Sequence, residues 1–568
     1  MKNFFITTPL YYVNSKPHIG SVYTTVIVDI INRFKKLNGL NTFFLTGTDE
    51  HGLKIQQSAK KAEKDEQEFV DEISTVFKEA ANNLNCEYNR FIRTTDTDHE
   101  QFVQNVWKKL MQNGWIYKGK YSGWYCVSDE AYYIEDELIK DENGNWKTEL
   151  GKSVEWKEEE SYFFRLSEFQ DILLKIYLTN KDFIQPEGRK NEIISFVGGG
   201  NLKEILQGKY KKDYLRDLSI SRNNFSWGIK IPCDDNGKQL LDNNGNWIDG
   251  LQDSEKHVIY VWLDALFNYQ SAIQNNLETF WKNADVVHII GKDIIKFHTI
   301  YWPAFLIALQ YKREELKTLT VEKINDDKVL PTTVFAHGWW TNEGRKISKS
   351  FGNVINPFEE IEWLQNTFNI DRNVAIDYFR YYLSTDGVFG NDLDYSRTRL
   401  VDKINSELVN NIGNLVQRVL SMIYKNCEGK IEKVDFNNLN ELDKKNLNSI
   451  SNIETILQKE SLNTFDFCQY RDLILNIANN ANDYMEKTAP WTLKKEEKID
   501  EMKKVLNLQV YLFKQILILL QPICPYISKQ ALDFLNIDSR LFANIKDNKD
   551  LQIDTPNGFF PRLVVNQK

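Results

Sequence analysis

The chain has 568 residues, of which 42% are hydrophobic and 27% charged, and its formal net charge is −9 at pH 7. That length exceeds what a single hydrophobic core ordinarily serves, so a globular protein of three or four domains is expected. The acidic balance argues against a protein that coats nucleic acid, but it is compatible with a local basic surface. No apolar run approaches about 18 residues, so no membrane span is expected. The six cysteines form no C-x-x-C pair, which favours reduced thiols.

The first segment predicts a parallel sheet with a crossover helix. Residues 4–8 are typical of a strand, residues 18–37 carry apolar side chains at helical spacing, and residues 42–46 are typical of a second strand. Strand, helix and strand joined by short loops favour a right-handed parallel unit, which binds ligands beyond the carboxyl ends of its strands. Asp49 and His51 lie at such a place. Because the first strand begins at once, we expect no targeting leader and a cytoplasmic protein, or a mitochondrial matrix protein in a eukaryote.

The rest of the chain predicts an insertion and then a change to helices. Residues 115–227 are rich in aromatic and turn residues, which indicates an inserted, partly β domain. Strand patterns return at 258–262, 286–290 and 332–336; beyond Asn391 they stop, and long amphipathic patterns indicate a helical bundle. The expected fold is α/β: a Rossmann-like parallel-sheet domain with an insertion, followed by an α-helical bundle. The predicted domains are a split catalytic domain (1–114 and 228–330), an inserted domain (115–227), a connecting region (331–390) and a helical domain (391–568).

Two short segments carry candidate chemistry for a nucleoside triphosphate. Pro17-His18-Ile19-Gly20 falls at a predicted helix start, where free N–H groups attract phosphate and glycine allows close approach. A histidine there can donate to an α-phosphate oxygen as charge builds in the transition state. Lys346-Ile347-Ser348-Lys349-Ser350 predicts a mobile cationic loop that neutralises a leaving pyrophosphate. Alone, the first segment is compatible with chance and the second with a solvated charge run; together they favour one triphosphate site.

These segments resemble the HIGH and KMSKS signatures of class I aminoacyl-tRNA synthetases. Further segments narrow the resemblance to the methionyl-tRNA synthetase family, and they are Thr8-Pro9-Leu10-Tyr11-Tyr12-Val13-Asn14, Thr46-Gly47-Thr48-Asp49-Glu50-His51-Gly52, Tyr260-Val261-Trp262-Leu263-Asp264-Ala265, Ile290-Gly291-Lys292-Asp293, Phe297-His298 and Ala489-Pro490-Trp491. The resemblance extends from Asn3 to about Leu520. It implies a methionine–tRNA ligase that uses ATP with Mg²⁺, L-methionine and tRNA(Met).

The resemblance also implies a role for individual residues. The residues implied to bind ATP and to form the adenylate are His18, Gly20, Ser21, Lys346, Ser348 and Lys349, of which His18, Lys346 and Lys349 are catalytic. Gly291 and Asp293 are implied to bind the ribose. Asp49 is implied to bind the ammonium group of methionine. The thioether pocket is implied to be formed by Leu10, Tyr12, Trp262, Ala265, Tyr269 and His298. The anticodon CAU falls to Asn414, Arg418 and Trp491. For Trp262 and Tyr269, and for the anticodon residues, ordinary core or surface positions are the competing interpretation.

Some positions depart from the family pattern. Ser21 stands where the first signature has histidine, and Cys126 stands alone where many relatives carry C-x-x-C pairs, so no structural zinc and no other resident metal are expected. The chain ends soon after the predicted bundle, so we expect a monomer. Residues 198–212 are typical of a tolerated surface insertion. Two rival functions stay open, a synthetase for another apolar amino acid and a non-catalytic tRNA-binding protein.

Overall fold

The structure is a computed structural model that describes residues 2–14, 16–129, 131–133, 135–142, 144–342, 344–347, 354–451, 453, 457, 465–538 and 540–564. Its strands are β1 (Asn3–Thr7), β2 (Tyr11–Tyr12), β3 (Asn41–Asp49), β4 (Arg90–Arg93), β5 (Ile116–Cys126), β6 (Ala131–Tyr133), β7 (Leu138–Lys140), β8 (Trp146–Thr148), β9 (Glu155–Phe164), β10 (Ile184–Gln185), β11 (Leu218–Ser219), β12 (Ser221–Arg222), β13 (Val258–Ile259), β14 (Ala284–Gly291), β15 (Thr333–His337), β16 (Trp340–Asn342), β17 (Arg345–Lys346), β18 (Leu393–Tyr395), β19 (Lys430–Ile431) and β20 (Leu551–Gln552).

The α-helices of the described residues fall into two groups along the chain. Those before the bundle are Ile19–Leu37, Leu53–Lys61, Glu66–Asn83, Thr97–Gln112, Gln170–Thr179, Glu187–Gly198, Leu202–Leu206, Val261–Leu266, Asn268–Ser271, Trp302–Gln310, Val321–Asp326, Pro357–Phe368 and Arg372–Thr385. Those of the bundle are Arg397–Lys403, Asn414–Asn426, Glu441–Leu447, Phe467–Thr488, Pro490–Lys495, Ile499–Leu520 and Pro525–Phe534. None of the described helices combines the length and the apolar character that a membrane span requires.

A seven-stranded sheet organises the first half of the chain. Its order is β10-β15-β14-β1-β3-β2, and β4 pairs with β3 as well. The strands run parallel, with Phe5 of β1 beside Val286 of β14 on one side and Phe43 of β3 on the other. Phe4, Phe5 and Ile6 are all buried, because a parallel sheet is covered by helices on both faces. The predicted Rossmann-like α/β fold is confirmed.

The helix Ile19–Leu37 is the first crossover, and it is buried along most of its length. Its apolar residues Val26, Ile27, Ile30, Ile31 and Phe34 have no solvent exposure. Burying a Val, Ile or Phe side chain stabilises a fold by roughly 1.5–3 kcal/mol each. The N-terminus of this helix is therefore held firmly relative to the sheet, and it points toward the carboxyl edge of the strands.

The segment predicted as the inserted domain contains a long antiparallel ladder. Strands β5 and β9 pair along residues 116–125 and 155–164, and β6 and β11 extend the sheet on its two sides. Farther along the same segment, β10 pairs in parallel with β15 of the main sheet. The main sheet thus takes one short strand from the range 115–227, and the domain boundaries stay a prediction.

Two parts of the secondary-structure prediction are wrong. The predicted strand 258–262 is only two residues long, pairs with β12 outside the main sheet, and passes into the helix Val261–Leu266. Periodicity cannot separate a strand from a helix in so short an apolar run. Strands also do not stop at Asn391, since the short β18, β19 and β20 follow it. The bundle itself is confirmed, with the helices Asn414–Asn426, Phe467–Thr488 and Ile499–Leu520 packed on one another.

Candidate active site

The predicted site residues gather at the carboxyl edge of the main sheet. Asp49 is the last residue of β3, Gly291 is the last residue of β14, and His18 precedes the first crossover helix. The strand that carries Asp49 begins one residue before the predicted start at 42 and runs three residues past position 46, so Asp49 belongs to the strand and His51 lies just beyond it. Parallel strands end at the same edge, so these groups surround one crevice.

His18 caps the crossover helix and is exposed. Its Nδ1 accepts from the backbone N–H of Gly20 at 3.0 Å, so the proton of the neutral ring lies on Nε2. A Cβ on Gly20 would lie 2.9 Å from His18 Cε1, so glycine is what lets the imidazole fold back over the helix start. This arrangement presents an N–H donor beside the free amides of a helix N-terminus, which suits an anionic phosphate.

The hydroxyl of Ser21 is engaged within the same helix start. It accepts from the N–H of His18 at 3.2 Å and donates to the carbonyl of His18 at 2.9 Å. The first of these bonds and the His18 side chain, which accepts from the helix backbone, together form a capping box at the helix N-terminus. Here Ser21 therefore stabilises the backbone that carries His18, and its predicted contact with ATP stays a prediction.

The turn after β14 carries the candidate ribose carboxylate. Asp293 is exposed on the short 3₁₀ helix Lys292–Ile294, and its Oδ1 accepts from Nε1 of Trp339 at 3.3 Å. A Cβ on Gly291 would lie 2.6 Å from the same oxygen. Glycine at 291 thus makes room for the carboxylate, and the ribose role of Gly291 and Asp293 stays a prediction.

Aromatic side chains form a candidate thioether pocket beside this edge. Trp262 stacks on Phe297 with ring centroids 3.7 Å apart and lies edge-on to His298. Tyr269 is buried, and its hydroxyl lies 2.7 Å from Nε2 of His298. The structure therefore brings Trp262, Tyr269 and His298 together. Ala265 is buried on the helix that carries Trp262, and Leu10 and Tyr12 pack against the same core.

Hydrogen bonding determines the proton position on His298. Its Nδ1 lies 3.0 Å from the carbonyl oxygen of Ile294, which can only accept, so Nδ1 carries the proton. Nε2 then accepts from the hydroxyl of Tyr269. Burial lowers the pKa of His298 to about 4, because an apolar surrounding disfavours the imidazolium. The ring is neutral near pH 7, which suits a pocket for an uncharged thioether.

A second histidine, His288 of β14, supports Tyr269 from behind. Its ring stacks on that of Tyr269 with centroids 4.1 Å apart. Trp302 donates its indole N–H to Nε2 of His288 at 3.3 Å, so Nδ1 carries the proton and donates to Oγ1 of Thr7 at 2.9 Å. Burial keeps the pKa of His288 well below its ordinary value. Each polar atom of the ring is used, so Tyr269 has a rigid support.

Asp264 links two buried histidines below the pocket. Its carboxylate accepts from Nδ1 of His51 and from Nε2 of His99, both at 2.7 Å, and the other nitrogen of His99 lies 2.7 Å from Oγ of Ser271. Burial alone would lower the pKa of His51, but the Asp264 carboxylate outweighs it and raises that pKa. This network ties the strand end near Asp49 to the helix that carries Trp262, and so it holds two walls of the crevice together.

The lysine segment begins on a small hairpin. β16 pairs antiparallel with β17 and parallel with β18. Oδ1 of Asp394 accepts from the N–H of Gly344 at 2.8 Å and from the hydroxyl of Thr341 at 2.7 Å, which fixes the turn before β17. Lys346 lies on β17. The predicted residues Ser348 and Lys349 lie outside the described residues.

The predicted anticodon residues lie together in the bundle. Asn414 and Arg418 are exposed one turn apart on the helix Asn414–Asn426, directly after the π-helical segment Ile404–Gly413. The guanidinium of Arg418 lies 5.1 Å from the ring centroid of Trp491 and pairs with Glu486 at 2.9 Å. A half-buried tryptophan with an arginine over its ring suits stacking of an unpaired base.

Cys126 belongs to a polar cluster in the insertion. Asp129 accepts from its thiol at 3.4 Å and from the hydroxyl of Tyr133 at 2.8 Å, and it also pairs with Lys152. Within the described residues there is no group of three or more histidine, cysteine or acidic side chains placed to hold a metal ion. The expectation of no structural zinc stays a prediction.

The sequence analysis missed several residues that complete the crevice. Phe297 stacks on Trp262, His288 supports Tyr269, and Trp339 donates to Asp293. Phe297 belongs to the segment Phe297-His298 already quoted from the sequence, but no role was predicted for it. The other two act across the fold and leave no local pattern.

Comparison with known proteins agrees with this geometry. The family profile described as tRNA synthetases class I (M) matches residues 4–420. The methionine–tRNA ligase of Rickettsia felis is 40% identical over 579 residues, which cover 99% of each chain. The chain belongs to the methionyl-tRNA synthetase family of class I tRNA synthetases. The family resemblance of the sequence is thereby confirmed.

More relatives of the methionyl-tRNA synthetase family support the assignment. The methionine–tRNA ligase of Brucella suis is 38% identical over 575 residues, covering 99% of this chain and 98% of that protein. The solved structure of Mycobacterium tuberculosis methionyl-tRNA synthetase in complex with methionyl-adenylate has a TM-score of 0.83 and 35% identity, and the match covers 99% of this chain and all of that chain. The fold of a methionyl-tRNA synthetase is thus shared along the whole chain.

Proposed function

We propose that this protein is a methionine–tRNA ligase. It activates L-methionine with ATP to methionyl-adenylate and transfers the methionyl group to the 3′ end of tRNA(Met) for translation. The observation that carries the proposal is the aromatic cluster of Trp262, Tyr269 and His298, in a chain 40% identical to a methionine–tRNA ligase over 99% of its length.

Methionine binding uses charge at one end and soft apolar contact at the other. Asp49 accepts from the ammonium group, in a charge-assisted bond. The thioether lies among Leu10, Tyr12, Trp262, Ala265, Tyr269 and His298. Aromatic edges favour sulfur, which a branched aliphatic side chain does not supply. Because a pocket discriminates one methylene by only about 1–3 kcal/mol, this sulfur contact contributes substantially to selectivity.

Adenylate formation is an in-line displacement at the α-phosphorus of ATP. The methionine carboxylate attacks, the bond to the bridging oxygen breaks, and pyrophosphate leaves. ATP enters as its magnesium complex, with the ribose on Gly291 and Asp293. His18 Nε2–H and the amides near Gly20 stabilise the charge on the α-phosphate, while Lys346, Ser348 and Lys349 stabilise the pyrophosphate. Catalysis then comes from positioning and charge stabilisation, with no covalent enzyme intermediate.

Transfer to tRNA follows at the same crevice. The terminal ribose hydroxyl of tRNA attacks the adenylate carbonyl and releases AMP. Recognition of the tRNA falls to the bundle, where Asn414, Arg418 and Trp491 read the CAU anticodon by hydrogen bonding and stacking. The domains are those predicted from the sequence, with 115–227 as the connective domain, 331–390 as the region of the lysine loop and the stem contact, and 391–568 as the anticodon-binding domain.

The proposal includes a monomer that works in the cytoplasm, or in the mitochondrial matrix if the source is eukaryotic; the relatives compared above, from Rickettsia felis and Brucella suis, are bacterial and support the cytoplasm. Size-exclusion chromatography with light scattering tests the monomer: a mass near 66.7 kDa is expected. A mass twice that would contradict it.

Pyrophosphate exchange across a panel of amino acids tests the function. Methionine is expected to support exchange, and isoleucine, valine and leucine are expected to support far less. Exchange with another apolar amino acid in place of methionine would favour that rival synthetase. No exchange with any amino acid, with tRNA binding retained, would favour a non-catalytic tRNA-binding protein.

A further inference from the structure

Trp339 links the candidate ribose carboxylate to the adjoining strand. It lies between β15 and β16, half-buried, and donates its indole N–H to Oδ1 of Asp293 at 3.3 Å. Asp293 itself is exposed on a three-residue turn. An exposed carboxylate without a fixed partner would have to lose rotamer freedom on binding a ribose, which lowers affinity.

The backbone of Trp339 is held from both sides. Its N–H donates to Oδ1 of Asp392 at 2.8 Å, and its carbonyl accepts from the N–H of Leu393 at 2.8 Å. A Cβ on Gly338 would lie 2.3 Å from the carbonyl carbon of Asn391. Glycine at 338 therefore permits the close approach of the two chain segments, and Trp339 is a rigid base.

A lysine completes the arrangement across the crevice. The ammonium group of Lys292 lies 2.7 Å from both carboxylate oxygens of Asp392 and 4.2 Å from the ring centroid of Trp339. Burial alone would raise the pKa of Asp392, but the bonds from Lys292 and from the Trp339 amide outweigh it and lower that pKa. Lys292 directly precedes Asp293, so this ion pair anchors the turn Lys292–Ile294, which carries Asp293, to Asp392, which also binds the Trp339 backbone.

We propose that Trp339 is a positioning residue for ATP, which orients the Asp293 carboxylate toward the ribose hydroxyls and is itself held by the Lys292–Asp392 pair. This inference rests on the proposed function, because the ribose role of Asp293 belongs to it. A carboxylate oxygen has two lone pairs, so Oδ1 accepts from the indole N–H and still accepts from a hydroxyl. Trp339 acts through Asp293, and the effect requires that the ribose has hydroxyls to bind.

That requirement gives a test that a merely structural role would not meet. Trp339→Phe keeps an aromatic face under Lys292 and removes the indole N–H together with part of the bicyclic ring. In methionine-dependent pyrophosphate exchange we expect kcat/KM for ATP to fall about 5- to 20-fold, since one hydrogen bond to a charged group contributes about 1.5 kcal/mol and 1.36 kcal/mol is tenfold. The same comparison is made with 2′-deoxy-ATP and with 3′-deoxy-ATP. For the analogue that lacks the hydroxyl bound by Asp293, kcat/KM of Trp339→Phe should lie within about twofold of the wild-type value. KM for methionine should stay unchanged.

A matched control and a second variant complete the experiment. Trp363 also has a cation over its ring, the guanidinium of Arg397 at 4.5 Å, but it lies on the helix Pro357–Phe368, so Trp363→Phe should leave all constants unchanged. Asp392→Asn keeps an acceptor for the Trp339 amide and weakens the pair with Lys292, and it should show a smaller loss with the same dependence on the ribose hydroxyls.

Two results would overturn the inference. If Trp339→Phe lowered kcat/KM equally for ATP and both deoxy analogues, Trp339 would act on the nucleotide directly or on the fold. If it left kcat/KM for ATP unchanged, Asp293 would need no orienting partner. Failure of the proposed function is a separate outcome, since the wild-type protein would then show no methionine-dependent exchange.

Discussion

Arg380 is the residue whose replacement tests how the catalytic sheet is joined to the bundle. It is fully buried on the helix Arg372–Thr385, and its Nη2 lies 2.6 Å from Oδ2 of Asp29, which is also fully buried on the His18 helix. Its other donors bond to the carbonyls of Leu84, Pro522 and Ile523. One guanidinium thus connects the first crossover helix with the end of a bundle helix.

The expected cost of Arg380→Met follows from these contacts. Breaking a buried ion pair by removing one partner costs about 3–5 kcal/mol, because a charge is left buried. Asp29 keeps Nε of Arg33 at 2.7 Å and the N–H of Glu87 at 2.7 Å, which lessens that penalty. The three carbonyls lose donors, which adds to it. We therefore expect the free energy of unfolding to fall by about 3 kcal/mol or more.

Two further variants separate the charge from the packing. Arg33→Met removes a partner of the same Asp29, but Arg33 is partly exposed, so a smaller cost is expected. Asp29→Asn combined with Arg380→Met removes both buried charges of the pair, while Arg33 keeps Glu87 as an ionic partner at 3.1 Å. Residues in direct contact couple by about 0.5–3 kcal/mol. The double variant should therefore lose less free energy of unfolding than the two single variants lose when their losses are added.

Urea titration followed by tryptophan fluorescence and by residual pyrophosphate exchange measures these effects. A chain of several domains need not unfold in two states, so the midpoints of the two signals are compared between variants. The reasoning is refuted if Arg380→Met shifts neither midpoint more than Arg33→Met does, or if the double variant loses the full sum.

Three further predictions concern the site and the bundle. Asp394→Ala removes the acceptor that fixes the turn at Gly344, and pyrophosphate exchange should fall about 5- to 20-fold, by about 1–2 kcal/mol, with KM for methionine unchanged; an unchanged rate would exclude a role for that turn. Trp491→Ala should spare exchange and weaken tRNA charging by about 1–3 kcal/mol, and equal loss of both steps would contradict the anticodon role. His298 has a pKa of about 4 when folded and about 6.5 when unfolded, so its contribution to stability is complete above pH 6.5 and lost as pH falls toward 4; His298→Gln should flatten that decline in urea midpoints, and an unaltered pH profile would contradict the buried neutral ring.

The sequence predicts those parts of the fold that depend on local patterns. The strand at 286–290 and the helix of residues 18–37 were found because their apolar spacing is long and regular. The prediction of a strand at 258–262 was wrong because a run of five apolar residues suits either element, and only packing decides that a helix begins at Val261. Short strands such as β18 depend on pairing partners far along the chain, so no local pattern announces them.

The candidate site divides in the same way. His18, Asp293 and His298 lie in recognisable segments, and the structure places them at one edge. The partners that orient them come from elsewhere in the fold. His288 of β14 stacks on Tyr269, which lies 19 positions earlier on a helix, and no spacing in the sequence indicates this contact. Local sequence patterns therefore indicate the residues proposed to contact ligands more readily than they indicate the residues that orient those side chains.

The role of the pair Asp392 and Asp394 can be recognised only in the folded structure. Asp392 and Asp394 are two positions apart in an extended segment, so their side chains project to the same side. Asp392 holds Lys292 and Trp339 beside the ribose turn, and Asp394 holds Thr341 and Gly344 at the base of the lysine segment. Two elements proposed to contact different parts of ATP therefore share one support, the short segment that runs from Asp392 into β18 (Leu393–Tyr395). Because an extended dipeptide has a nearly constant length, covalent geometry sets the distance between the two points where these elements are attached.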